Sequence, residues 1–411
     1  MARRKSLRRR SPSELGIRLV IAGMACVVGY HAVMQAVAEA ELRRGAVIRA
    51  YTLAPHHPRI AATMARALFE PGAPAADRAK AIRLAHEALR RDPTTIIAAT
   101  TLGLDVGLRG QDAAARRLLA YSQKLSRRDF PTQVWAIEDA VNRNDIPAAL
   151  HGYDVALRTS RNAPQLLFPI LASAITDPSI RAGLIPTLRR NPSWRHAFVE
   201  FVAENGPDPQ ATAHLFRGLH QAKVAISDQA NATVTKALVE KNLPDAAWTF
   251  YASLHPGADR RISRDPRFTA IVSTPAPFDW VPLGSQGIST SFQRDDRGGI
   301  FDFSAPASVG GPLLTQMQML PPGNYQLTGH SSGIDQPAAS LPYWVLSCAG
   351  GRELGRVTVP NSVHAGGTFS GSFTVAADCP VQSLTFVAQP SDAISGVSGQ
   401  IDQLLLRPAA R

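Results

Sequence analysis

The sequence predicts a multidomain chain of α plus β class: an N-terminal transmembrane helix, an all-α array of short helices, and a C-terminal antiparallel β-sandwich. Three observations predict it. An apolar stretch from Leu19 to Ala38 follows a cluster of arginines. From about Pro55 to Ile271 the chain is rich in Ala, Leu and Arg, with apolar residues at helical intervals. Beyond residue 275 lysine vanishes, and short alternating runs separated by Gly, Pro and Ser replace the helical period. The corresponding segments are a basic tail at 1–18, a span at 19–38, helices at 39–272, a linker at 273–278 and a sandwich at 279–411.

The tail carries seven basic residues (Arg3, Arg4, Lys5, Arg8, Arg9, Arg10 and Arg18) against one acid, Glu14. A helix of about twenty residues spans roughly 30 Å, the thickness of a bilayer's hydrocarbon core. Positive charge stays on the cytoplasmic side, so everything after Ala38 is expected to be exported. The expected location is a bacterial inner membrane crossed once, with a periplasmic body. The rival reading is a removable signal peptide. Ala36-Val37-Ala38 has the small-x-small form of a cleavage site, Leu19 to Tyr30 would serve as the apolar core, and Arg3-Arg4 with Leu7 faintly resembles a twin-arginine signal. Apolar character continues through Val33, Met34 and Val37, which favours a retained anchor. Both readings export the same body.

Forty-four basic and 32 acidic residues give the chain a net charge of +12. The tail supplies half of that excess, whereas residues 275–411 hold six Arg, no Lys and nine acids. The high basic balance is therefore largely topogenic, and no nucleic-acid partner is expected. The helical middle keeps a basic bias that suits an acidic polysaccharide or a membrane surface, or else is a solvated face with no partner. Cys26 lies within the apolar span and reads as a buried filler. Cys348 and Cys379, 31 residues apart in the β region, are expected to pair in an oxidising compartment. There is no C-x-x-C spacing, and His56-His57 and the His214/His220 pair lack convergent partners, so no metal and no cofactor is expected.

Helix boundaries are signalled by proline. In Asp77 to Arg91, Ile82, Ala85 and Leu89 share a face, and Asp92-Pro93 ends the run because the residue before proline is pushed out of the α region. Ala81, Ala85, Ala88, Leu89 and Pro93 are echoed thirty-four residues on by Ala115, Leu118 and Leu119, and again by Ala149, Tyr153, Ala156 and Leu157. Leu102-Gly103 supplies a small residue where antiparallel helices approach closely. This resembles the tetratricopeptide repeat over about residues 60–163, without the family's first-helix tryptophan, with Ala85 in place of a large residue and with no closing proline in the third unit. The resemblance implies a right-handed superhelix whose surface binds envelope proteins; the plain alternative is a rigid spacer. Beyond Pro164 the period blurs, although Leu166 to Ile175, Leu184 to Val202 and His214 to Ala225 read as helices, and Ala246, Phe250 and Leu254 echo the repeat.

After Ser273-Thr274-Pro275-Ala276-Pro277, nine candidate strands follow: 288–292, 300–303, 314–320, 325–329, 343–348, 356–359, 368–375, 384–388 and 401–406. Alternation places Trp344, Leu346 and Cys348 on one face, taken as core. Nine short antiparallel strands suit a jelly roll. The Leu320-Pro-Pro-Gly-Asn-Tyr325 strand opener, the Trp344-x-Leu-x-Cys348 strand and the closing Gly399–Leu406 strand resemble the galactose-binding-like, carbohydrate-binding class of β-sandwich. That resemblance implies a module docking polysaccharide on exposed rings, for which Trp280, Phe292 and Tyr343 are the candidates; burial in the core is their alternative role. Asp295-Asp296 is a candidate calcium turn, or simply solvated.

One enzymatic motif occurs. Gly329-His330-Ser331-Ser332-Gly333 fits G-x-S-x-G, whose chemistry requires a strand, a sharp turn and a helix. Pro337 and Pro342 follow instead of a helical sequence, and no catalytic residue is assigned. The sequence as a whole points to a non-enzymatic, membrane-anchored scaffold that contacts proteins through its helices and glycan through its sandwich, in exopolysaccharide or envelope assembly. The alternatives are a carbohydrate-binding module on a helical spacer, and a serine esterase centred on Ser331.

Overall fold

The computed structural model describes residues 12–284, 287–295 and 298–410. Among these residues, helices come first and strands last. The helices are α1 (Pro12–Arg43), α2 (Val47–Leu53), α3 (Pro58–Leu68), α4 (Ala75–Arg91), α5 (Ile96–Leu108), α6 (Asp112–Leu125), α7 (Phe130–Asn142), α8 (Ile146–Thr159), α9 (Ala163–Ala174), α10 (Pro178–Arg189), α11 (Arg195–Asn205), α12 (Pro209–Gln221), α13 (Asp228–Glu240) and α14 (Pro244–Leu254). The strands are β1 (Val281–Pro282), β2 (Ser289–Asp295), β3 (Gly298–Ala305), β4 (Gly311–Gln318), β5 (Gly323–Ser332), β6 (Tyr343–Cys348), β7 (Glu353–Thr358), β8 (Thr368–Val375), β9 (Gln382–Ala388) and β10 (Val397–Pro408). The chain divides into two compact units, with the boundary between Ala163 and Pro164.

In the first unit, α1 is long and apolar enough from Gly16 to Arg43 to cross a membrane. Its apolar side chains, Leu19, Val20, Ile21, Met24, Val27 and Val28 among them, are exposed. Cys26, expected as a buried filler, is exposed as well, because this part of α1 has no packed neighbour. The helix continues without a break past Ala38, which is 0% exposed and packs with Ala50, Ala54 and Ile60, with Leu42 against them. The following helices form antiparallel pairs, α3 with α4, α5 with α6 and α7 with α8. The recurring positions Ala81, Ala115 and Ala149 are all buried, as are Ala85, Leu119 and Tyr153. Gly103 permits the α5–α6 contact: a Cβ there would lie 2.7 Å from Leu119 Cγ.

A buried polar cluster ties the pairs together. Asp129 caps α7 by accepting from the Thr132 backbone, and it also accepts from the hydroxyls of Thr132 at 2.6 Å and Thr100 at 2.8 Å and from Arg66 Nη2 at 2.7 Å. Ser122 on α6 bonds Thr100 at 2.8 Å. Burial raises the pKa of the Asp129 carboxyl, but the charge of Arg66 and the hydrogen bonds from Thr132, Arg66 and Thr100 outweigh it and hold the carboxyl below the usual carboxylate range.

The second unit holds α9 to α14 and the whole sandwich. The expected helix from Leu184 to Val202 is two helices, because Asn191 turns left-handed at φ 57° before Pro192. Asp177-Pro178 and Asp208-Pro209 begin helices rather than end them: each Asp side chain accepts from the first turn's amides, and proline at the first helical position needs no amide partner.

All nine expected strands are present, with β1 in addition. They form two antiparallel five-stranded sheets, ordered β1-β4-β9-β6-β7 and β2-β3-β10-β5-β8. Trp344 of β6 and Phe386 of β9 stack at 4.8 Å, and Phe303 of β3 meets Phe386 edge-on at 5.1 Å across the sandwich. Leu346 is fully buried beside Trp344, while Cys348 lies at the margin, bonded to Cys379 with a Cα separation of 5.6 Å.

The segment read as a linker, 273–278, is packed rather than free. Phe278 is 1% exposed and lies 5.1 Å from the rings of both Trp248 and Tyr251, and the Pro277 carbonyl accepts from Met317 N. Just upstream, β10 extends past the end of β3, and residues 263–266 take its vacant hydrogen-bonding edge. Ser263 N donates to Leu406 O, the Ser263 hydroxyl accepts from Leu406 N, and Leu404 N donates to Pro266 O. Arg264 is held by its backbone to Gln316 and by its guanidinium to Asp279, 3.3 Å away, which also accepts from Tyr251 Oη at 2.6 Å. Burial and the Asp279 charge push the Tyr251 hydroxyl far above the ordinary phenol value.

Two outcomes are expected. Gly103→Val should cost about 1–3 kcal/mol through overpacking against Leu119, read as a lowered thermal midpoint by circular dichroism. Because the folded pKa of Asp129 lies below its unfolded value, its contribution is complete above the ordinary value of about 3.9 and is lost as pH falls through the folded value. Asp129→Asn should therefore destabilise the fold at neutral pH and flatten the acid limb of the stability profile, measured by denaturant unfolding across pH.

Candidate functional site

Alternation along the β2-β3-β10-β5-β8 sheet sends one set of side chains into the core and the other outward. On β5 the inward residues are Tyr325, Leu327 and Ser331; Thr328 and His330 lie on the opposite face. On β8, Phe369 and Phe373 are inward and Thr368 and Ser370 outward. The β10 ladder with β5 shifts register between Ile401 and Gln403, an irregularity that brings both Asp402 and Gln403 beside His330.

These outward residues line an open groove of about 910 Å³, with Ile300 and the Gly298-Gly299 backbone of β3 along one side and Arg267 at its margin. Gly299 is required there, since a Cβ would collide with the Phe268 carbonyl at 2.0 Å while its amide donates to Arg267 O. His330 is fixed at both ring nitrogens, with Nδ1 2.8 Å from Asp402 Oδ1 and Nε2 3.0 Å from the Gly366 carbonyl. With both imidazole nitrogens engaged, His330 braces the groove, which presents hydroxyls, the Gln403 amide and the Asp402 carboxylate. The groove is equipped to exchange hydrogen bonds with a hydroxyl-rich ligand.

The three aromatic candidates do not meet there. Trp280 is 6% exposed in the sandwich core, its Nε1 donating to Asp265 O at 3.0 Å and its ring edge-on to Trp344. Phe292 packs at 5.4 Å against Phe301, its cross-strand partner, and at 5.7 Å against Phe268. Tyr343 lies in the other sheet, half-buried, with the Arg356 guanidinium 3.9 Å over its ring. Burial removes Trp280 from an exposed stacking surface, whereas Phe292 and Tyr343 are half-buried, each with a contact inside the protein. The side chains of Asp295 and Asp296 lie outside the described residues. Ser331 is 1% exposed, and its hydroxyl bonds the Ser362 hydroxyl and the Gly367 carbonyl, both at 3.3 Å. His330, its chain neighbour, faces the other way, and no helix follows β5 directly. Among the described residues no group of three or more His, Cys, Asp or Glu gathers as a metal site.

In the sequence His330 is masked by the G-x-S-x-G run of Gly329–Gly333, whose chemistry centres on the serine. The same alternation that buries Ser331 puts His330 outward. Asp402 and Gln403 had no such signal, since their placement depends on the irregularity in β10.

No family model matches the chain, and no curated protein matches it. Solved structures similar to it include the enzymatically active domain of bacteriophage CBA120 tailspike protein 4 (11% identity, 31% of this chain, TM-score 0.23). The chain spans only 18% of that tailspike domain. TmCBM61 in complex with β-1,4-galactotriose is 14% identical over 36% of this chain and 97% of its own, with a TM-score of 0.25. The family 11 carbohydrate-binding module of cellulase Lic26A-Cel5E of Clostridium thermocellum is 12% identical over 36% of this chain and 94% of its own, with a TM-score of 0.22.

Trp280→Ala should cost about 3–5 kcal/mol as a core truncation, whereas Tyr343→Ala should stay near 1 kcal/mol, typical of partly exposed positions. Urea unfolding of the two variants checks this; equal losses would restore an exposed role to neither ring.

Proposed function

We propose that this chain is a membrane-anchored, non-catalytic binding protein of the cell envelope whose β-sandwich holds glycan in the groove around His330. The observation that carries the reading is the groove itself: hydroxyl, amide and carboxylate groups on the outer face of a sheet, braced by His330 and suited to the donors and acceptors of a sugar. The tetratricopeptide-like helices then serve as the protein-binding part, in exopolysaccharide or envelope assembly. A retained anchor is supported by the continuity of α1 through Ala36-Val37-Ala38 and by the burial of Ala38 under α2 and α3. Cleavage there would cut a helix and remove a core residue.

Full-length protein in detergent, applied to a glycan array that includes β-1,4-galactotriose, should be retained. Ser370→Ala and Gln403→Ala should each weaken retention about tenfold, the worth of one well-made hydrogen bond to a fixed partner. Failure of the wild type to bind any glycan, or full binding by both variants, would sink the reading. Mass spectrometry of the membrane-extracted protein should find residues 19–38 still attached, and alkaline phosphatase fused at the C-terminus should be active.

A further inference from the structure

A second groove, of about 480 Å³, lies in the helical unit where α6, α7 and α8 adjoin. Its apolar lining is aliphatic and small: Leu119 and Ala120 from α6, Ala136 and Ala140 from α7, Val155 from α8. Its charged lining is one-sided. Arg116 and Lys124 from α6, Arg127 just beyond its end and Arg143 at the C-cap of α7 face the Asp139 carboxylate, and Arg143 also reaches Asp145 at 3.4 Å. That carboxylate is shared: Arg116 Nη2 lies 3.0 Å from Asp139 Oδ1 and Arg143 Nε 3.1 Å from Oδ2. Asp139 therefore holds two guanidinium groups side by side, each with further N–H groups to offer. Burial tends to raise the Asp139 carboxyl, but the two arginines outweigh it and keep it below the usual carboxylate range, so it stays ionised as their tether. Among the described residues Lys124 and Arg127 make no ion pair, and His151 stands on the same groove from α8.

We infer that this groove docks an acidic, aliphatic segment of a partner protein, its Asp or Glu carboxylates meeting Arg116, Lys124, Arg127 and Arg143 while its Leu- or Val-type side chains cover the lining between them. Charge complementarity fixes the sign of the occupant, because Asp139 and Asp145 answer Arg116 and Arg143 while the charges of Lys124 and Arg127 are left for an anion to neutralise. The lining fixes its kind. A glycan is held by a row of fixed hydrogen-bonding groups; here Gln133 is spent on the Arg127 carbonyl and is itself buried, which leaves Gln123 as the one other side-chain amide of the lining. Trp135, half-buried, and His151 are the rings of the lining. Small aliphatic surface between cations suits a peptide instead. The inference is independent of glycan binding by the sandwich.

The test is selection of a phage-displayed random dodecapeptide library on immobilised full-length protein. Recovered peptides should be enriched in Asp and Glu alongside Leu, Ile or Val. Synthetic copies should bind about tenfold more weakly to Lys124→Glu/Arg127→Glu and lose affinity between low and high salt, as solvent-exposed rim charge pairs at interfaces do. Both altered residues are exposed and unpaired, so the variant should keep the wild-type thermal midpoint; Lys124→Ala/Arg127→Ala gives a milder second reading. Recovery of peptides without acidic enrichment, or binding unaffected by the charge reversal, would overturn the inference. So would retention of polygalacturonate by the wild type and its release by the reversed variant with no acidic peptide recovered, which would make the occupant a glycan.

Discussion

The edge of β10 that β3 leaves open is the constraint on which the second unit depends. A buried strand with unpaired amides is costly, and residues 263–266 satisfy that edge through Ser263, Pro266 and their partners Leu404 and Leu406. Once the chain is fixed there, Arg264 reaches Gln316 and Asp279, Tyr251 of α14 closes on Asp279, and Phe278 fills the space beside Trp248. The same fastening sets the groove. Arg267 and Phe268 follow directly, pressing on Gly299 of β3, and Leu404 lies next to the Asp402–Gln403 irregularity. The pre-sandwich segment is thus part of the sandwich's hydrogen-bonded frame.

Much of the architecture was legible because it rests on period and punctuation. The thirty-four-residue recurrence of small residues marked the buried seams of the helix pairs, and turn residues marked nearly every strand. Asn191-Pro192 was readable only in part: apolar spacing runs through it, and the left-handed turn that splits the helix depends on one asparagine. The site was far less legible. Aromatic residues are the usual sugar platforms, yet Trp280 is buried against Trp344, and Phe292 and Tyr343 are each partly engaged, by Phe301 and Arg356. Which face of a ring stays open is decided by residues distant in sequence. His330 was visible in the sequence but concealed behind its serine neighbour, and the register shift that brings Asp402 to it has no composition of its own. Asp129 was likewise unremarkable, although it gathers α3, α5 and α7 about one buried carboxylate.

The two grooves differ in the way their chemistry is held. Around His330 the Asp402 carboxylate is braced by the imidazole, and specificity would arise from the fixed directions of the donors and acceptors beside it. Around Asp139 the balance is deliberately uneven, and a long-range field would gather a counter-charged ligand before contact. A chain carrying both has one surface that discriminates by shape and another that attracts by sign.

The uninterrupted run of α1 from its apolar stretch into the first packed helices carries a mechanical consequence. Between Tyr30 and Arg43 there is neither glycine nor proline to act as a swivel. An α-helix turns about 100° per residue, so adding a single residue within that run would swing every helix docked on Leu42 and beyond by about that angle around the shaft. The azimuth of the first unit is thereby geared, residue by residue, to whatever grips the greasy end.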